Sequence, residues 1–241
     1  MIDSLSIILP VFNEEKRLVK TFAHINKYLK KKQIKLLEFI FVNDGSTDKS
    51  KKLLLNFLTK KRKANVKISI INLKKNIGKG GALKAGVKKA KYNWILTSDI
   101  DFSVPLSEIE KWQRKKYIHN QKNVYFGSRS HKNSKVESKF YRKFVGHCLS
   151  IFISLFLGIN IKDTQCGFKL YRNSIAKKIF SQLRFLNYEH DIEIVLILKN
   201  KKIKVIELPI IWNHVPNSKV NILIDSLKIF IKILLIKIRY N

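Results

Sequence analysis

Acidic residues are scarce in this chain. Asp and Glu number 17 among 241 residues, against 49 Lys and Arg, and the formal net charge is +32. A positive field of that size favours an anionic partner: nucleic acid, a lipid surface or a phosphorylated substrate. Arginine is scarce too, with eight residues, and the lysines are spread along the whole chain. That dispersal weakens the nucleic-acid reading and ranks a membrane surface above it. The abundance of Asn and Ile also points to an A- and T-rich codon bias behind part of the lysine count. Only two cysteines occur, Cys148 and Cys166, and they form no C-x-x-C pair. Zinc and redox motifs are thereby excluded, and reduced thiols in a cytoplasmic protein are expected. The opening "MIDSLSIILPVFNEE" runs directly into a strand pattern, so no signal peptide is expected. Of nine glycines, four fall at 78, 80, 81 and 86 in "NIGKGGALKAG". Neither G-x-x-x-x-G-K-[ST] nor G-x-G-x-x-G is met, which removes the P-loop and dinucleotide fingerprints. A glycine-rich turn before a helix N-terminus remains, with Lys79 beside it. It reads as an anion site or as a flexible helix start.

What the sequence does contain is alternation. Short apolar runs at Leu5–Leu9, Leu37–Val42, Val66–Leu73 and Trp94–Thr97 read as buried parallel strands. Helical patterns separate them at Glu15–Leu29, Asp48–Leu58 and Gly80–Ala90. With 45% apolar composition and no repeat or linker, this is one doubly wound α/β unit with a substantial core. Ligands of such sheets bind beyond the carboxyl ends of the strands. Three polar motifs fall there: "PVFNEE", "NDGSTD" and "SDID".

In "SDID", Asp99 and Asp101 lie two residues apart. In an extended segment both side chains point the same way and can approach one cation. Hard carboxylate oxygens suit Mg²⁺ or Mn²⁺ bridging to a diphosphate. The plain alternative is a solvated turn or a helix cap before Pro105. Asp44 sits at a strand end, where a carboxylate can accept hydrogen bonds from a base or ribose, and Ser46 or Asp48 reads as a helix cap. Phe12 stacks on a base or belongs to the core; Glu14 stands beside it. Arg129 and Arg142 have forked donors suited to phosphate, and equally suit a surface. His214 reads as a loop residue or as a further metal ligand. Two apolar stretches remain. Phe144–Ile161 reads as an interfacial helix or buried hairpin rather than a span. In the last stretch Asp225, Lys228, Lys232 and Arg239 recur at helical spacing, as in a helix lying on an anionic membrane or docked on the core.

In order along the chain, "LPVFNEE", "FVNDGSTD", "NIGKGGALKAG", "TSDIDFSVP", "FGSRS", "DTQCGFKLY", "EHDIEI" and "NSKV" resemble a family 2 glycosyltransferase. Within it they are similar to the polyprenyl-phosphate branch typified by dolichyl-phosphate β-glucosyltransferases and dolichol-phosphate mannose synthases. The resemblance covers nearly the whole chain. It implies a GT-A fold, Rossmann-like with a mostly parallel sheet flanked by helices; with the helical spacing read above, the expected division is a GT-A domain over residues 1–220 and an amphipathic helix over 221–241. It implies that Pro10, Phe12 and Glu14 line a nucleoside pocket, with Val42 and Asp44 at the base and ribose. Asp99 and Asp101 would form the metal-diphosphate motif, with Ile100 and Ser103 alongside. Arg129 and Lys219 would contact phosphate, Arg142 the acceptor phosphate, while Asp163 and Lys169 would flank the sugar. Asn43 stands where the family often has Asp, and Phe12 where Tyr is frequent.

The expected reaction is inverting transfer of a hexose to a polyprenyl phosphate at the cytoplasmic membrane face, with glucose from UDP-glucose favoured through "DTQCGFK". Family members usually carry an N-terminal membrane anchor that is not seen here, so attachment is expected through the C-terminal half or a partner. An ionised lipid phosphate needs no base; a hydroxyl acceptor would need one, with Asp163 or Asp191 as candidates. GDP-mannose is the alternative donor. A nucleotidyltransferase is disfavoured because "PVFNEEKR" lacks glycine after the first strand. A non-catalytic module binding anionic lipid or nucleic acid by charge alone leaves Asp44, Asp99 and Asp101 unexplained.

Overall fold

The computed structural model of the chain describes residues 2–60, 65–137, 156–215, 232–233 and 235–240. Strand β1, Ser4–Val11, is buried on both faces, as its near-continuous apolar run requires. It pairs in parallel with β2, Leu36–Asn43, and on its other side with β4, Trp94–Thr97. Beyond β2 lies β3, Val66–Asn72, also parallel. Beyond β4 lies β7, Lys169–Arg172, which runs antiparallel to β4 and to β5, Val124–Ser128; β8, Val205–Pro209, closes the edge in parallel with β5. The seven-stranded order is β3-β2-β1-β4-β7-β5-β8, and β6, Lys135–Val136, pairs separately with β9, Ile211–Trp212. The mostly parallel sheet expected from sequence is present, with β7 its one reversed strand.

Period-two alternation divides β1 and β2 between two cores. Ile7, Leu9, Phe39 and Phe41 face helices α1, Glu15–Lys31, and α2, Ser50–Lys60. Ile8, Ile40 and Val42 face α3, Lys79–Lys89, on the opposite side. Full burial of each such side chain contributes about 1.5–3 kcal/mol. Helix α1 is amphipathic, burying Leu18, Thr21, Ile25, Tyr28 and Leu29 along one stripe. Helix α4, Ser107–Arg114, buries Trp112, whose indole donates to the Pro209 carbonyl at 2.8 Å. Helices α5, Asn173–Gln182, and α6, His190–Asn200, complete the second core.

The glycines of α3 serve close packing. A Cβ at Gly86 would lie 2.3 Å from Ile8 Cγ2, and one at Gly80 would lie 2.6 Å from His190 Cβ. The flexible helix start considered from sequence is therefore a tightly seated one.

Strand order reverses at β1, which has β2 and β3 to one side and β4 to the other. The crevice at that switch point opens at the carboxyl ends. Pro10 marks its mouth. Pairing of β1 with β4 ends at Ile8 and Thr97, so at Pro10 no partner on that side asks for the missing N–H.

Most of the two apolar stretches, together with Cys148, Arg142 and Lys219, lies outside the described residues. So does the expected boundary at 220/221. Of the described parts, Leu157, Ile159, Ile161, Ile233 and Ile236 are buried in the second core. Leu235 and Ile238 face outward, Ile238 being 80% exposed. Tyr240 Oη donates to Glu193 Oε1 at 2.7 Å. Among the described residues no helix is long and apolar enough to cross a membrane.

Candidate active site

Above β1, β2 and β4 lies a cleft of about 520 Å³. Pro10, Phe12, Glu14, Asp44, Asp99, Ile100, Asp101, Ser103 and Arg129 all line it, as do Lys79, Asp191 and His214. Arg17, Asn187, Tyr188 and Trp212 also line it and were missed from sequence. For Arg17 a signal existed: it directly follows "NEEK", three residues after Glu14, in a chain poor in arginine.

The local geometry of "SDID" differs from the extended segment expected. Strand β4 stops at Thr97, the Phe102 amide donates to the Asp99 carbonyl at 3.3 Å, and Phe102 adopts φ 49°. Residues 99–102 thus turn, because the ladder with β1 has ended. The turn, rather than strand alternation, carries both carboxylates to the cleft. Thr21 of α1 holds it by donating its hydroxyl to the Ile100 carbonyl at 2.7 Å.

Asp99 has a counter-charge of its own, whereas Asp101 shares one with Glu14, whose Oε1 lies 3.3 Å from Arg17 Nη1. Lys79 Nζ lies 2.6 Å from Asp99 Oδ1, and Arg17 Nη1 lies 3.8 Å from Asp101 Oδ2. Asp101 Oδ1 also accepts from the Ser103 amide at 3.0 Å and hydroxyl at 2.7 Å. Asp99 lies across Gly167, where a Cβ would come within 2.6 Å of its Oδ2. That close approach explains the glycine of "DTQCGFK". The neighbouring Cys166 is a buried free thiol, its pKa pushed up to about 12 by burial first, so it is inert at neutral pH.

Asp44 anchors the loop before α3. Its oxygens accept from the Ile77 amide at 2.8 Å and the Gly78 amide at 3.0 Å. Burial raises its carboxyl above the ordinary range, and those two hydrogen bonds offset part of the rise. Asn43 points into the loop: its amide donates to Asn72 Oδ1 at 3.0 Å and its oxygen accepts from the Ser46 amide at 3.1 Å. An Asp there would lack the donor.

The loop after β2 caps the helix after β1. Ser50 Oγ accepts from the Glu14 amide at 2.8 Å and Asp48 Oδ2 from the Glu15 amide at 3.1 Å. The capping role expected for Asp48 is there, extended to the neighbouring helix; Asp48 Oδ1 also accepts from the Ser50 amide at 2.9 Å.

Three residues expected in the pocket lie behind it. Val42 is fully buried under α3, because it shares a strand face with Ile8 and Ile40. Asp163 is buried and engaged by Arg129, accepting from its Nε and Nη2 at 2.8 Å each and from its backbone amide at 2.8 Å. Burial alone would raise the Asp163 carboxyl, but Arg129 and Lys169 carry it below the ordinary value. Lys169 is 1% exposed, donating to the Thr164 carbonyl at 2.8 Å and to Asp191. Asp191 reaches the cleft yet is no free base. Burial opposes its ionisation, and the Lys169 and Lys79 ammonium groups outweigh that, lowering its pKa.

His190 is buried with Nδ1 2.6 Å from the Asn187 carbonyl; a carbonyl only accepts, so Nδ1 carries the proton. Burial first, with Lys79 and Lys169, depresses its pKa to about 4. The unfolded chain therefore takes up this proton near pH 6.5 and the folded one does so only near 4. Stability from neutral His190 is complete above pH 6.5 and is lost as pH falls to about 4, to the extent of about 3 kcal/mol. Urea midpoints between pH 7 and 4 should fall accordingly. His190→Gln should flatten that slope, and an unchanged slope would refute the assignment.

Asp99 and Asp101 suit a divalent cation by donor chemistry. Both offer hard oxygens to one cleft, and the Asp99 side chain is 42% exposed. Among the described residues no three acidic, His or Cys groups form a closed metal cage. Mg²⁺ and Mn²⁺ held with nucleotides use one or two carboxylates and complete their shell from phosphate and water.

Residues 6–180 match the family model described as glycosyl transferase family 2. A dolichyl-phosphate beta-glucosyltransferase of Dictyostelium discoideum is 30% identical over 98% of this chain and 74% of its own length. A Homo sapiens protein of the same name is 30% identical over 98% and 75%. A Trichomonas vaginalis relative, also so named, is 33% identical over 98% and 73%. Among solved structures, glucosyl-3-phosphoglycerate synthase of Mycobacterium tuberculosis in complex with Mn²⁺, UDP and glucosyl-3-phosphoglycerate superposes with a TM-score of 0.67. It covers 98% of this chain and 80% of its own at 15% identity, a likeness of fold.

Proposed function

We propose, because this chain belongs to glycosyl transferase family 2, that it transfers glucose from UDP-glucose to a polyprenyl phosphate, with inversion, at the cytoplasmic face of a membrane. The observation that carries this reading is the meeting of Asp99, Asp101, Asp44 and Phe12 in one cleft at the sheet's switch point. The names of the curated relatives favour glucose and a dolichyl-type acceptor.

In this reading Phe12, 39% exposed, offers a face to the base, and Asp44 borders the nucleoside. Asp99 and Asp101 are the residues that would hold Mg²⁺ or Mn²⁺, which when bound would neutralise charge on the leaving diphosphate. Lys79, Arg17 and Arg129 bring fixed positive charge to the same wall, so the chain itself favours diphosphate departure. Asp163 and Asp191 are both held ionised by cations at lowered pKa, which makes them weak proton acceptors. An acceptor already ionised at neutral pH, as a phosphate monoester is, asks nothing of them. Attack on the anomeric carbon from the face opposite the diphosphate then inverts it.

Calorimetric titration with UDP and GDP, each with Mn²⁺ and with chelator, tests the reading. UDP should bind the wild type with a metal-dependent gain, and Asp101→Asn should lose at least tenfold of that affinity. A preference for GDP would overturn the glucose donor in favour of GDP-mannose, and a folded protein that binds neither would overturn the transferase reading.

A further inference from the structure

We infer that Lys79 is a built-in competitor for the cation site, which makes metal binding at Asp99 and Asp101 conditional on the arrival of the nucleotide diphosphate. The inference rests on the function proposed above and concerns how the same site is ordered.

Its first support is position. Lys79 begins α3, and its backbone has almost no latitude. A Cβ at the preceding Gly78, which adopts φ 93°, would lie 2.3 Å from Asn187 Oδ1, and one at Gly80 would lie 2.6 Å from His190 Cβ. The Gly78 amide is held by Asp44, and the Gly81 amide donates to the Leu186 carbonyl at 3.1 Å. Only the Lys79 side chain is left to move, and its ammonium rests on Asp99 at 2.6 Å, on an oxygen a metal would need.

Its second support is charge. Glu14, Asp99 and Asp101 bring three negative charges and Lys79 and Arg17 two positive ones, with Lys79 2.6 Å from Asp99 and Arg17 3.3 Å from Glu14 and 3.8 Å from Asp101. The group carries one net negative charge, too little to balance a divalent cation. Such a cation entering alone would either leave excess positive charge in the group or force Lys79 off its carboxylate. A nucleotide diphosphate supplies the negative charge that restores balance, and gives the displaced ammonium oxygens to hold. Asp191, which also attracts Lys79, is itself engaged by Lys169, so it offers only a partial alternative. Metal and nucleotide thus raise each other's affinity by one shared factor, as linkage requires.

The test uses the full chain and reads binding rather than turnover. Mn²⁺ binding without nucleotide is followed by electron paramagnetic resonance for wild type, Lys79→Met and Lys79→Gln, then repeated with saturating UDP. Both variants should bind Mn²⁺ alone about tenfold more tightly than wild type, since they remove the competitor. The enhancement of Mn²⁺ affinity by UDP should be largest in the wild type and fall by about tenfold or more in the variants. If Lys79 only contacts diphosphate, Mn²⁺-alone affinity stays unchanged. If it only positions Asp99, that affinity weakens. Either result overturns the inference while leaving metal-dependent UDP binding by the wild type intact, so the two readings fail separately. Circular dichroism confirms that the variants are folded, and agreement between Met and Gln excludes an effect of one substituent.

Discussion

Lys169→Met is expected to remove about 3–5 kcal/mol of folding stability, a large part of the roughly 5–15 kcal/mol that domains possess. Lys169 and Asp191 are buried together, with side chains 1% and 5% exposed. Neither ion recovers its hydration, so each depends on the other and on local donors and acceptors. The Lys169 ammonium also satisfies the Thr164 carbonyl and lies 4.7 Å from the centre of the Phe126 ring. Methionine fills much of the same space, so the loss isolates charge from volume. It strands the Asp191 carboxylate and leaves Thr164 without its partner. Removing both charges, as Lys169→Met with Asp191→Leu, should recover most of the loss, because two apolar residues replace a buried pair at little cost. Urea denaturation of the three variants measures this. A loss below about 1 kcal/mol for Lys169→Met would mean that the pair is hydrated and contributes as a surface pair does.

Gly167→Ala is expected to leave the fold nearly unchanged and to cut kcat/KM by about a hundredfold. The new Cβ would stand 2.6–2.8 Å from the Asp99 carboxylate. Something must move, and the softest partner is the Asp99 side chain, which has open cleft beside it. Displacing a reacting-centre carboxylate by about 1 Å costs on the order of 10²-fold in rate. Thermal unfolding should shift by only a few degrees while steady-state transfer collapses. A variant of near-normal activity would show that the Asp99 position has slack, and would weaken its candidacy as a metal ligand.

Much of the architecture was legible because buried parallel strands and amphipathic helices leave different periods. The four strands and three helices read from the first hundred residues all appear, with ends displaced by up to two residues. Val42 shows what alternation says when applied fully: it shares parity with Ile8 and Ile40 across a register fixed by pairing, and belongs under α3. Asp44, two residues on, escapes that rule only because the strand has ended. The pairs that set the cleft's electrostatics were not legible. Lys79 and Asp99 are separated by a helix and a strand, Lys169 and Asp191 by a helix, and Arg129 and Asp163 by 34 residues. No local rule joins such residues: Lys79 and Lys169 were picked out from the sequence, but not which carboxylates partner them.

One consequence concerns the order in which the chain acquires structure. Helix α1 has no side-chain cap of its own at Glu14, and its first amides are closed by Ser50 and Asp48. Asn13 returns the tie, its oxygen accepting from the Thr47 amide at 2.8 Å. A nascent segment ending near Lys35 therefore holds the whole helix but none of its closing partners, and starting a helix is the costly step. The first βα unit is expected to consolidate only once the second has emerged from the ribosome. The two then consolidate as one cooperative block, so the wall that carries Phe12, Glu14 and Arg17 forms late in synthesis relative to its place in the sequence.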